Sequence, residues 1–419
     1  MEFCAELARR MVVAGANLER VELAIFLICR AYGMSDVSIL LLSTHLSLSA
    51  MDRDGSYVSR QVSIPGSSIH LEKLKSLNRL SFTVVRETPP EEKLPAMLND
   101  ASLVDEYRDL TVLIARIGSM ICLCLMFGGG WTEAAATGII TALLHFVERL
   151  VNNMDLNRLV GSAVTMCAAT ILSMLFYRAG LCRDASVVIT ALCMLFIPGI
   201  ALTNAVRNLF CDHEMNGILQ LMKVLIETTA IAAGIYAGVF LLKGKGDFGT
   251  DMVTSVSEPL LLIGLSIVST MLNAVTFQVP PHDLWRTGIG GLITRVALIC
   301  LPLIIPYRIV YTGLATLLAS LYAEYLARKR RDPSTYFVYP AILPLVPGGL
   351  FFNMIMGLLY HDWSRALTNG YDCLITLLGI SLGFVISSSA AHYIRKVRAD
   401  INKTNKAIVD RIIKIFKRL

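Results

Sequence analysis

Residues 196–209 read FIPGIALTNAVRNL, and residues 345–359 read LVPGGLFFNMIMGLL. Laid over each other at an offset of 149, residues 196–234 and their counterparts share eight identities. These are Pro198/Pro347, Gly199/Gly348, Asn204/Asn353, Leu209/Leu358, Leu225/Leu374, Ile226/Ile375, Ile231/Ile380 and Gly234/Gly383. Leu and Ile matches come easily in an apolar chain. A Pro-Gly pair followed five residues later by Asn, at the same place in two halves, does not. Proline inside a helix removes a backbone hydrogen bond and clashes with the preceding turn, at about 3 kcal/mol. In lipid the freed carbonyls must find protein or water. Pro198-Gly199 and Pro347-Gly348 therefore mark irregular backbone lining a path, the ordinary alternative being a packing kink.

The surrounding chain is built to cross a membrane. Of 419 residues, 55% are hydrophobic and 17% charged, where a soluble domain carries about 25% charged. Ten apolar stretches are long enough to span about 30 Å of hydrocarbon: 110–127, 133–149, 159–177, 185–206, 216–242, 257–277, 287–304, 309–327, 336–359 and 366–391. The basic run Arg328-Lys329-Arg330-Arg331 and the basic tail both belong inside. Ten spans with both termini in the cytosol satisfy this, and nine do not. Each half then holds five spans, so the repeats have opposite orientation. The expected fold is a polytopic α-helical membrane protein: ten transmembrane helices as two inverted five-helix repeats, preceded by a small cytosolic α/β domain. Inverted repeats with interrupted helices are a transporter architecture.

Residues 1–107 form that cytosolic domain, 108–243 and 256–392 the two repeats, and 393–419 a basic cytosolic tail. The spacing predicts one helix over Phe3–Tyr32, stopped by Gly33. Strands follow at Val37–Leu42, Leu46–Met51 and Tyr57–Ile64, with Asp52–Gly55 as a turn. A second helix is expected over Ser68–Leu80, opened by a Ser cap, and Ser81–Val85 reads as a further strand. Residues 1–109 carry 12 basic and 15 acidic side chains, whereas 393–419 carry nine and two. That distribution argues against nucleic acid and for a tail near an anionic membrane face. The charged start at Glu2, Glu6, Arg9 and Arg10 is not a signal peptide. The ten cysteines fall in no metal-ligand spacing and read as packing residues.

Polar residues inside the spans are the candidates for function. Asn204 and Asn353 follow the two breaks, and their amides suit a zwitterion by donating to a carboxylate and accepting from an ammonium. Helix–helix glue is the alternative. Glu227, some 11 residues into its stretch, is expected near the midplane as a coupling proton carrier. Lys223, one turn earlier, is its expected charge partner. Asp372 occupies the position related to Lys223 and joins Glu227 as a proton-coupling candidate. Arg116 and Arg295 are weaker candidates, and His213 reads mainly as a solvated loop residue. No phosphate-binding loop, hydrolase motif or metal-ligand set occurs, so the chain reads as a non-enzyme without cofactor or metal.

At these motifs the chain resembles the threonine/serine exporter family over nearly its whole length, in a form with two halves fused. Gly15-Ala16 and Glu19-Arg20-Val21-Glu22 are similar to that family's opening helix, and Ile69–Leu74 to its second soluble helix. Ile197-Pro198-Gly199 through Leu202-Thr203-Asn204-Ala205 is similar to its most recognisable membrane motif, and Leu345–Gly348 to the matching motif of the second half. Where the family carries an acidic residue after the motif's Arg, this chain has Arg207-Asn208. The resemblance implies export of threonine and serine driven by the proton gradient, from the cytosol across a bacterial inner membrane. Thr203 joins Asn204 and Asn353 as a substrate contact under that reading. Small dicarboxylates such as succinate are the alternative substrates, because in some bacteria similar halves occur as paired proteins linked to dicarboxylate export. A membrane sensor or scaffold acting through the soluble domain is the second alternative. The expected partners are the small-molecule substrate, protons, the lipid bilayer and further copies of the chain.

Overall fold

The computed structural model describes residues 1–66, 68–154, 156–196, 199–210, 213–242, 258–330 and 332–416, with side chains at 359 and 391–416 left aside. Pro198 therefore lies outside the described residues, as do the side chains of the tail. The chain opens with α1 (Glu2–Val13) and α2 (Leu18–Ala31), then β1 (Ser35–Leu41), β2 (His45–Met51) and β3 (Tyr57–Ser63). These strands form an antiparallel sheet of order β1-β2-β3, in which Leu46 faces Val62 and Ser49 faces Ser59. Leu46 and Leu48 point from β2 into a core with Leu7, Met11, Ile25 and Ile28 of the two helices. Alternation along the strands supplies that single apolar face.

Two boundaries differ from the sequence reading. The helix expected over Phe3–Tyr32 is two helices, because Gly15 turns the chain at φ +91°, a conformation open to glycine. The helix expected from Ser68 begins at Leu71 as α3 (Leu71–Glu87). The Ser68 and His70 amides instead donate to the Val13 and Ala14 carbonyls at 2.9 and 3.2 Å. That fixes 68–70 along the α1–α2 corner, and His70 replaces the serine cap by accepting from the Lys73 amide at 3.2 Å. Ser81–Val85 is helix rather than strand. Leu74, Leu77, Ser81 and Val84 repeat at helical spacing on the buried face, and that packing outweighs the β preference of two valines.

After α4 (Leu94–Ser102) come α5 (Asp109–Met126), α6 (Trp131–Asn152), α7 (Arg158–Arg178), α8 (Ala185–Cys193), α9 (Gly199–Leu209) and α10 (Glu214–Leu241). The second half holds α11 (Pro259–Thr276), α12 (Pro281–Cys300), α13 (Arg308–Arg330), α14 (Thr335–Ile342), α15 (Gly348–Leu359) and α16 (Trp363–Phe416). Among the described residues, eight helices are long and apolar enough to cross a membrane by themselves. The pair at 335–345 and 348–358 passes only together, bent by 50°. The fold is thus that of a multi-pass membrane protein. Leu110, Ile114, Phe146, Leu150, Leu260 and Leu374 stand exposed on these helices, as lipid-facing side chains do.

The two halves repeat their closest packing. Gly234 of α10 lies against the Ala163 backbone of α7, and Gly383 of α16 against the Gly313 backbone of α13, so a side chain at either glycine would overlap main-chain atoms. Close approach through small residues is how helices associate when lipid is as apolar as their side chains. The first helices of the halves meet as well, Asn273 of α11 donating to the Ser119 hydroxyl of α5 at 2.7 Å. Arg116 of α5 is held by Glu148 of α6 through two bonds of 2.9 and 2.7 Å.

Candidate functional site

Three clusters of polar groups interrupt the apolar packing. The first is built on the helix breaks. Between α14 and α15 the chain passes through a single 3-10 turn at Leu343–Leu345, then an extended Val346 at φ −60°, ψ 122°. Pro344 and Pro347 donate no backbone hydrogen bond, so neither can continue the helix. In the other half, Gly199 opens α9, and its α-carbon lies so close to Val346 that an added methyl would overlap that valine. The two breaks therefore abut. One turn into α9, the Asn204 amide donates to the Tyr339 hydroxyl of α14 at 3.2 Å. Thr203 is fully buried and spends its hydroxyl on the Gly199 carbonyl of its own helix at 3.0 Å.

Asn353 has a different partner. Its side-chain oxygen accepts from Arg365 of α16 at 2.8 Å. Pro347 and Gly348 are buried at the α15 start. The residues around Asn204 and Asn353 do meet, since Leu202 and Val206 of α9 share an apolar cluster with Phe351 of α15 and Leu377 of α16. The sequence pairs the asparagines, while the structure joins one to a tyrosine and the other to an arginine. Neither partner was visible beforehand. Tyr339 sits in a run of apolar residues, and Arg365 starts a helix where arginine is common at the membrane edge.

The second group consists of two separate carboxylate–arginine pairs, one in each half. Glu227 is 7% exposed, and its oxygen lies 3.5 Å from Arg158 Nε. Lys223, one turn earlier, is exposed, so Arg158 replaces it as the charge partner of Glu227. Asp372 lies 3.2 Å from Arg308. Arg158 and Arg308 each open the third long helix of their half, 150 positions apart. By partner, then, Asp372 corresponds to Glu227, not to Lys223. Glu227 also sits level with the start of α7. α10 runs for 28 residues, about 42 Å at 1.5 Å each, with Glu227 near its middle. In the first turn of α10, Asn216 accepts from the Ser43 amide at 2.9 Å and donates to the Leu41 carbonyl at 2.8 Å. At that end, burial pushes the Glu22 carboxyl above its ordinary range, with the nearby His213 opposing and Glu19 adding to the shift.

The third cluster, which the sequence reading missed, joins the N-terminal helix–strand unit to the second half. Asp283, three residues into α12, is fully buried. It is bound by Arg286 and has Arg330 at 3.5 Å, Lys75 at 3.7 Å, His282 at 3.3 Å and the Tyr336 hydroxyl at 3.1 Å. Lys75 and Arg79 come from α3, Arg79 reaching the buried Asp332 at 2.8 Å. The Leu71 amide donates to the Phe277 carbonyl at 2.9 Å, and the Tyr107 hydroxyl to the Val279 carbonyl at 2.8 Å. Nothing in the spacing announces the cluster, since Lys75 and Arg79 lie more than 200 positions from its other members.

Comparison with known proteins agrees with this architecture. Residues 2–242 match the family described as "Putative threonine/serine exporter", and residues 263–390 match "Threonine/Serine exporter, ThrE". The chain is similar to the "Probable succinate transporter subunit YjjP" of Klebsiella aerogenes, with 21% identity over 233 residues, 55% of this chain and 90% of that protein. It is also similar to the Escherichia coli protein of the same description, 25% identical over 118 residues, 28% of this chain and 46% of that one. No solved structure matches it.

Proposed function

The chain belongs to the threonine/serine exporter family, and from that premise we propose that it is a secondary transporter exporting threonine and serine in exchange for protons. The observation that carries this is the junction of the two helix breaks, where Gly199 meets Val346 and Asn204 meets Tyr339. Interrupted helices leave free backbone groups, and a nearby amide and phenol add a donor and an acceptor for a small polar solute. In this reading α8 with α9, and α14 with α15, are the two broken spans that bring the eight long helices to ten. The halves are then inverted repeats, and the matched pairs Arg158–Glu227 and Arg308–Asp372 lie toward opposite faces. The soluble unit is cytosolic because it docks at Asp283 and Asp332, beside the basic end of α13. The setting is a bacterial inner membrane, and the relatives' description as subunits fits an assembly of more than one copy.

Glu227 is the proton carrier in this scheme, with Asp372 its counterpart. A buried carboxylate takes up a proton when its arginine partner turns away to water, and gives it up when the arginine returns. The Glu227→Gln variant should therefore lose the response of efflux to an imposed pH gradient. Gradient-dependent flux that persists unchanged in this variant would remove Glu227 from the mechanism.

A second reading has one observation in its favour. Arg365, which donates to Asn353 at 2.8 Å, carries a planar guanidinium, the group best suited to a carboxylate, and the relatives' printed names concern succinate. Efflux from proteoliposomes preloaded with radiolabelled threonine, serine or succinate decides between the two. Gradient-responsive threonine or serine flux is expected. Succinate flux alone would keep the architecture and change the substrate, and no flux of any of the three would leave the soluble unit as a sensor.

A further inference from the structure

The half-helix that carries Tyr339 has an unusual support. α14 is eight residues long and every one of them is buried. It continues neither into α13, which ends at Arg330, nor into α15, which lies beyond the 3-10 turn. Its orientation is therefore fixed from the side, by whatever its neighbours hold. One support is α12, where the Thr294 hydroxyl donates to the Ala341 carbonyl at 2.8 Å. The other is Tyr336, whose hydroxyl donates to Asp283 at 3.1 Å. The Lys75 ammonium from α3 lies 4.8 Å from the centre of the Tyr336 ring, and Glu72 of the same helix is 3.5 Å from its hydroxyl. Tyr339 follows Tyr336 by three residues, on the same face one turn along.

We infer that Lys75 and Asp283 are positioning residues for the Asn204–Tyr339 junction, acting through Tyr336, so that the soluble unit sets the affinity of the membrane half for its substrate. The inference rests on the transport reading given above. Lys75 is 3% exposed and is held between Glu72 at 3.2 Å and Asp283 at 3.7 Å, so it cannot shift without moving the ring beneath it. An ammonium over a tyrosine face is attracted to the ring more strongly when desolvated, as Lys75 is. His282, Arg286, Arg330, Asp332 and Arg79 complete the cluster, and all but Arg79 sit on the second membrane half. A displacement of α3 is thereby passed to α14 through one side chain. The wider contact of the soluble unit, at Leu41 and Ser43 with Asn216, touches the first half and not α14.

The test is the concentration dependence of threonine efflux from proteoliposomes. Lys75→Met and Tyr336→Phe should each raise KM at least fivefold with Vmax within twofold of the unaltered protein. Lys75→Arg, which keeps the charge, should recover most of that loss. Lys75→Met combined with Tyr339→Phe should be no worse than Tyr339→Phe alone, because both act on one contact. Tyr336→Phe leaves every ion pair in place, so it reports even if Lys75→Met does not fold. A raised KM in Tyr339→Phe with KM unchanged in Lys75→Met and Tyr336→Phe would overturn the inference alone. An unchanged KM in Tyr339→Phe would overturn the reading of the junction and the inference with it.

Discussion

Gly234→Leu is expected to abolish the folded protein in detergent, and Gly383→Leu to do the same. At each glycine the facing helix presents main chain, the Ala163 carbonyl in one half and the Gly313 carbonyl in the other. A side chain there cannot be accommodated by turning a neighbour's rotamer, so α7 and α10, or α13 and α16, must separate. Overpacking a core costs about 1–3 kcal/mol where side chains can yield, and more is expected where they cannot. Gly264 of α11 has no atom near its Cβ position and supplies the control. Gly264→Ala should be neutral or stabilise by roughly 1 kcal/mol, from helix propensity alone. Thermal melting of the three variants in one detergent makes the comparison. Equal melting temperatures for Gly234→Leu and Gly264→Ala would show that the close approach carries no stability.

Asp283→Ala has the second large effect. Removing this fully buried carboxylate takes a shared acceptor from Arg286, Arg330 and Lys75, and breaking a buried pair from one side costs about 3–5 kcal/mol. Asp283→Asn should cost less, since the amide still accepts from Tyr336 and the guanidinium groups. Because the cluster ties α3 to α12, α13 and α14, the loss should register in both units. Limited proteolysis would show the soluble unit released from the membrane half in Asp283→Ala while remaining folded. Intact docking in that variant would mean that the Phe277, Val279 and Asn216 contacts suffice to hold it.

The membrane fold was legible because its signals are local. Apolar length gave the long helices to within a few residues, except that α12 starts at Pro281 and α16 runs on to Phe416, and Pro-Gly punctuation marked the bend before α15. The pairing of Glu227 was not legible, because Arg158 lies on another helix 69 positions away. Long-range partners left no trace at all. Arg158, Arg308 and Tyr339 look like ordinary edge or core residues until the fold sets them beside Glu227, Asp372 and Asn204. The corner at Gly15 and the late start of α3 share one cause: backbone groups of 68–70 serve the α1–α2 turn, a contact between segments that spacing cannot report. Asp283 and Lys75 show the same limit, since a buried charge reads as a surface charge until its partners are known.

The central claim is that the junction of the two helix breaks contacts the substrate. Equilibrium binding of radiolabelled threonine to purified protein tests it without a gradient or a reconstituted membrane. Asn204→Ala, which removes the amide that meets Tyr339 and leaves the helix break in place, should weaken binding at least tenfold with an unchanged melting temperature. Binding as tight as that of the unaltered protein would contradict the account and move the substrate away from the breaks.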